Sequence, residues 1–172
     1  MPRALLHFSE DPNIEVFVPH VAATAQVEGA RVWAIDEDHQ PSYWFPRQCP
    51  RACAWPTPER PLTEKAAALI GGARRVHAIE SAWLERMRAC RLYVYRFDPA
   101  PFAFEPNSGF SWCARETVRP LAVEPVGDLL GKHADEGVEL RIVPNLWPTI
   151  DAILASGLEF SIIRKANAQP RP

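Results

Sequence analysis

Leu5-Leu6-His7-Phe8-Ser9-Glu10 and, further on, Val32-Trp33-Ala34-Ile35-Asp36 carry the reading of the fold. The first sets one ionisable ring inside a short apolar strand, Leu5 to Phe8. It is followed by a turn, Ser9-Glu10-Asp11-Pro12-Asn13, rich in groups that bond backbone amides. The second belongs to a strand, Arg31 to Ile35, followed by Asp36. That residue suits the N-cap of a helix through His39 and Tyr43-Trp44-Phe45, stopped by Pro46. Between the two, Ile14, Val16 and Val18 alternate with Glu15 and Phe17, as an edge strand or an extended packed segment would.

Outward from these stretches, Leu92-Tyr93-Val94-Tyr95-Arg96-Phe97 is the clearest alternating strand. Arg75 to Ile79, Phe110 to Ala114, Val118 to Val123, Val138 to Val143 and Leu158 to Arg164 also read as strands. Thr63-Glu64 opens a helix through Ile70, with Gly71-Gly72 as its stop. Ser81 caps a helix carrying Trp83, Leu84 and Met87 at helical spacing. A third helix starts at Pro125, a tolerated early position, and runs through Leu130; a fourth covers Leu146 to Leu154. Strands outnumber helices and several are adjacent in sequence, which predicts an α+β domain rather than a regular βαβ alternation. No repeat or linker interrupts it. The expectation is a single domain over 1–168, with Gln169-Pro-Arg-Pro172 as a frayed tail.

Composition bounds the function classes. The 172 residues are 47% hydrophobic, with six Trp and eight Phe, enough for a sizeable core. A net charge of -2 gives no basic field for nucleic acid, and no apolar run approaches the ~20 residues that span a bilayer. The N-terminal apolar stretch is too short for a secretory signal, so the expected compartment is the cytoplasm and the four cysteines are expected to be reduced. Cys49-Pro-Arg-Ala-Cys53 falls within loose zinc-ligand spacing, but no second close pair follows, and no metal is expected. Eighteen prolines are the anomaly. They cluster over 41–61 and 99–106, which predicts rigid, irregular surface loops.

Three segments resemble the ADP-ribosyltransferase-like fold, in which split mixed and antiparallel sheets with a few short helices form a cleft for a nicotinamide dinucleotide. They are Leu5-Leu6-His7-Phe8-Ser9, then Val32-Trp33-Ala34-Ile35-Asp36 leading to Tyr43, and Arg115-Glu116-Thr117-Val118-Arg119-Pro120-Leu121-Ala122-Val123. Trp33 stands where that pattern usually has Tyr. Over nearly its whole length the chain also resembles a family of uncharacterised bacterial proteins. They share the His-Phe-Ser-Glu-Asp opening, the Trp-Ala-Ile-Asp segment, the Phe-Pro-Arg-x-Cys-Pro-Arg loop (Phe45 to Arg51) and the closing Glu-Phe-Ser-Ile-Ile-Arg strand (Glu159 to Arg164).

The transferase resemblance implies chemistry at the nicotinamide–ribose bond, which breaks through a sugar cation. Glu116 would orient a ribose hydroxyl and stabilise that cation, and His7 would bond the other ribose. Trp33 or Tyr43 would stack on the nicotinamide. Arg47, Arg51 and Arg164 would pair with pyrophosphate, whose oxygens suit a guanidinium fork. NAD would then be a substrate, not a tightly bound cofactor.

Each residue also has a plainer reading. His7 could be a buried ring satisfied by a carbonyl, and Trp33, Tyr43, Trp44 and Phe45 could be core residues. Glu116 could pair on the surface with Arg115 or Arg119, and Arg47 and Arg51 could only tie down the proline-rich loop. A Gly-rich phosphate loop, a Ser-His-Asp order and a His-Glu-x-x-His motif are all lacking. The function expected is therefore an ADP-ribosyl transferase or NAD hydrolase. The alternative is a non-catalytic domain binding a nucleotide or another phosphorylated small molecule. Removal of an RNA 2'-phosphate ranks third, since one early His and no dense basic groove fit it poorly. Nucleic-acid and membrane partners are not expected.

Overall fold

The alternating stretch Tyr93–Phe97 pairs with Leu5–Ser9 over its full length, from Leu5 opposite Phe97 to Ser9 opposite Tyr93. The computed structural model describes residues 2–21, 29–60 and 62–172, so Pro61 of the proline cluster lies outside the described residues. In chain order its strands are β1 (Leu5–Ser9), β2 (Val32–Ile35), β3 (Arg51–Trp55), β4 (Arg75–Glu80), β5 (Tyr93–Phe97), β6 (Ala103–Glu105), β7 (Ser111–Ala114), β8 (Ala122–Pro125), β9 (Val138–Val143) and β10 (Glu159–Ile163). The helices are α1 (Glu64–Ile70), α2 (Leu84–Ala89), α3 (Leu129–Asp135) and α4 (Trp147–Ser156). The chain is α+β, with one antiparallel and one mixed sheet and few helices. Among the described residues no helix is long and apolar enough to cross a membrane.

Within the span expected as one domain, packing falls into two compact units, 1–44 with 91–126 and 45–90 with 127–172. The first holds a six-stranded antiparallel sheet in the order β6-β7-β2-β1-β5-β8. One face carries its core: Leu5, Val32, Ala34, Tyr95, Phe97 and Ala114, covered by Phe17, Phe102 and Val118. Loops, not helices, close this core, with Phe17 and Val118 exchanging backbone bonds of 2.9 and 3.0 Å. Fully burying a ring such as Phe97 stabilises the unit by about 1.5–3 kcal/mol. The Tyr95 hydroxyl, at the end of a buried side chain, donates to the Asp11 carbonyl (2.6 Å) and accepts from Ile14 N–H (3.0 Å). It thereby pins the Ser9–Asn13 turn that follows β1.

The second unit holds a mixed sheet, β10-β3-β4-β9, in which only β4 and β9 run parallel. Ala52, Ala54, Val76 and Ala78 form one face, and their small side chains let α1 and α4 lie close through Ala66, Ile70, Ile150 and Ile153. Thr63 caps α1 as expected, accepting from Ala66 N–H (3.1 Å).

Several expectations need correction. The proline-rich 41–61 stretch is not all surface loop, because Arg51–Trp55 is a fully buried strand paired on both sides. Pro50 and Pro56 stand just outside it, where no ladder amide is needed. A strand buried on both faces shows no alternation to read. The helix expected from Asp36 is a turn followed by one 3₁₀ turn, Gln40–Tyr43. Asp36 spends its carboxylate on the His39 ring as well as the His39 amide. The strand expected at 118–123 starts later, at Ala122, leaving Val118 as a single bridge. The last residues are not frayed. Trp147 Nε1 and Asn145 Nδ2 donate to the Gln169 and Pro170 carbonyls, and Arg171 forks onto Asp151 at 2.8 and 3.0 Å.

Candidate functional site

The first unit contains a cavity of about 430 Å³ at the β6–β7 side of its sheet. Its polar lining comes from Arg31, Glu105, Arg115 and Glu116, with Phe104 and Cys113 as the main apolar contributors. The register explains most of the grouping, but it turns the Phe104 ring to the other face, beside Trp112. Trp33, Cys113 and Ala103 lie opposite one another across β2, β7 and β6, so they share the sheet face turned away from the Leu5–Tyr95 core. Arg31, two residues before Trp33, falls on the same side.

Arg31 is 6% exposed, and its guanidinium is held between two neighbours. Nη2 lies 3.6 Å from Glu105 Oε2, and Nη1 donates to Cys113 Sγ at 3.5 Å. Glu105 also accepts from Asn107 Nδ2 (3.3 Å), and its carbonyl accepts from the Ser108 hydroxyl (2.8 Å). The short edge strand β6 is thus fastened at its end. Phe104 meets Trp112 edge-on, with ring centroids 5.5 Å apart, yet is 49% exposed. Arg115 and Glu116 are exposed and make no side-chain hydrogen bond or ion pair among the described residues.

The residues singled out in the sequence fall in different places. Glu116 lines the cavity, and the surface pairing with Arg115 or Arg119 is not formed. His7 does not line it. Its Nδ1 donates to the Trp33 carbonyl at 3.0 Å, and its ring meets Phe17 edge-on at 4.9 Å. Because Leu6 pairs with Ile35, His7 and Trp33 project from opposite faces of the sheet. Tyr43 stacks on Phe8 at 6.2 Å. Arg47, Arg51 and Arg164 belong to the second unit. Arg51 is buried there, donating to the Cys49 carbonyl (3.1 Å) and lying over Phe45. Arg164 ends β10 in the left-handed region, at φ 58°.

Arg31, Phe104, Glu105, Cys113 and Arg115 were not found as site residues from sequence. β6 is three residues long and bracketed by Pro101 and Pro106, so no periodicity marks it.

Other titratable groups stand apart from the cavity. Burial works to raise the Asp36 carboxyl, but the His39 Nδ1 bond of 2.6 Å and that ring's charge bring it below its ordinary value. Burial pushes the Cys49 thiol up to about 12, which makes it inert. Among the described residues no three His, Cys, Asp or Glu side chains gather as a metal site would need.

One known protein family matches residues 6–168 of this chain: a family of unknown function, DUF6886. The chain belongs to that family. The match takes in both compact units of the DUF6886 chain, including β1 from Leu6 and all of β10. No curated protein and no solved structure matches it.

Proposed function

We propose that the cavity of the first unit binds a nucleotide or another phosphorylated small molecule. One observation carries this reading: a guanidinium and a carboxylate, each uncommitted among the described residues, line the same 430 Å³ space. Each suits part of such a ligand. Phosphate oxygens accept from Arg115, and vicinal ribose hydroxyls donate to Glu116. The volume falls within the ~300–1,000 Å³ usual for small-molecule sites.

The ADP-ribosyl transfer or NAD hydrolysis reading needs a carboxylate beside the reacting sugar, and Glu116 in the cavity favours it. With His7 outside that cavity, the binding reading needs fewer groups and is preferred.

Thermal shift and calorimetry with NAD, ADP-ribose and mononucleotides test both. At least one ligand is expected to raise the melting temperature, with Glu116→Gln weakening binding about tenfold, which corresponds to ~1.4 kcal/mol. Nicotinamide released by the wild type and not by Glu116→Gln would establish turnover. No stabilisation by any of these ligands at millimolar concentration removes the proposal.

A further inference from the structure

We infer that the ligand of this cavity carries a single phosphate, as a nucleoside monophosphate or pentose phosphate does, and is not a pyrophosphate or dinucleotide. This deepens the binding reading above and rests on it. The argument is one of charge and size.

Among the described residues, the cavity lining contains two guanidiniums and two carboxylates, of which one each is open to a ligand. Arg31 is committed to Glu105 at 3.6 Å and to Cys113 Sγ at 3.5 Å, and it is almost fully buried. Pulling it away would leave Glu105, itself largely buried, without its cation. Arg115 is therefore the one guanidinium that can take a phosphate without breaking an existing pair. Its two-pronged fork satisfies one phosphate group.

A second phosphate would meet Glu116 and Glu105 instead. The unit as a whole repels it too, since its two segments contain eleven Asp and Glu against six Arg and no Lys. The hydroxyls of a pentose, by contrast, donate to Glu116 at no charge penalty. At about 430 Å³ the space lies near the small end of ligand sites, which suits a mononucleotide better than a molecule twice its size.

Calorimetric titration of the full chain at fixed ionic strength with adenosine, AMP, ADP, NAD and ribose 5-phosphate tests this inference. AMP is expected to bind tighter than adenosine, and ADP and NAD several-fold weaker than AMP. Ribose 5-phosphate, which offers Arg115 the same single phosphate, is expected to bind tighter than adenosine. Arg115→Ala is expected to bring AMP down to the adenosine level while leaving adenosine unchanged; Arg115→Lys is expected to restore part of the difference. If ADP or NAD binds as tightly as AMP, or Arg115→Ala leaves the AMP advantage intact, the single-phosphate inference is overturned while the binding reading stands. If none of the five binds, the binding reading itself has failed, and this inference fails with it.

Discussion

His77 and His133 show how much a single pair of side chains can decide. His133 Nδ1 donates to the Leu129 carbonyl at 2.7 Å, so its Nε2 is an acceptor. His77 Nδ1, 3.1 Å away, must then donate to it, and His77 Nε2 is left as a buried lone pair with no partner among the described residues. Burial holds both imidazoles below their ordinary range, that of His77 far below, with the charges of His133, Arg75 and Arg51 adding to the effect. In the unfolded chain each takes a proton near pH ~6.5. The unfolded state therefore binds more protons once the pH drops below that value. Stability is fully present above pH ~6.5 and is lost as the pH falls, by up to about 1.4 kcal/mol per unit for each ring. Urea denaturation at pH 7.5 and 5.5 checks this; equal midpoints would contradict it, and His77→Leu is expected to flatten the dependence. Neither ring was legible as special in the sequence, because a His in a strand and a His in a helix give no sign that they will meet. Glu116 was found through its local shape, yet its partners were not, since Phe104 and Glu105 come from an edge strand too short to show a period.

Among the elements, those with a terminal signal were read best. Thr63, at the start of α1, accepts from Ala66 N–H and donates through the same hydroxyl to the Ser156 carbonyl at 2.9 Å, tying α1 to the end of α4. Thr63→Ala loses the cap and that tie together and is expected to cost about 1–2 kcal/mol, whereas Thr63→Ser keeps both and stays near wild type. Chemical denaturation of the two variants separates them; similar losses in both would mean that the Thr63 methyl group, not its hydroxyl, matters. β3 was missed for the opposite reason. Its residues, Arg51-Ala-Cys-Ala-Trp55, are buried on both sides of the sheet, so the pattern has no polar face, and the flanking prolines suggested a loop. Asp36 was recognised as a cap, but the length of what it caps depends on the His39 ring, a contact that spacing alone does not reveal.

At the scale of the whole molecule, the sequence announced its α+β character but not its division into two units. The closing residues were also misjudged, because composition does not say what lies beneath them. Glu80, 2% exposed, accepts from both Leu146 N–H (3.0 Å) and Gln169 N–H (3.0 Å). Deleting 169–172 removes one of these bonds to a buried carboxylate and uncovers Trp147, and is expected to lower stability by about 1.5–3 kcal/mol. Arg171→Ala, which breaks an exposed ion pair and the guanidinium's contact over the Trp147 ring, is expected to cost about 1 kcal/mol. A melting temperature unchanged by the deletion would show that the tail contributes nothing. The division of the chain has a consequence for its birth on the ribosome. Each unit is stitched from two separated stretches, so emergence of the first ninety residues delivers half of each and the whole of neither. β1, with Leu5 and Leu6, is made well before β5 and waits for it before its longest ladder can close. β3, bordered by β4 and β10, waits for Glu159–Ile163 before its second ladder can close. The nascent chain must therefore hold these apolar strands apart until their distant partners have been made.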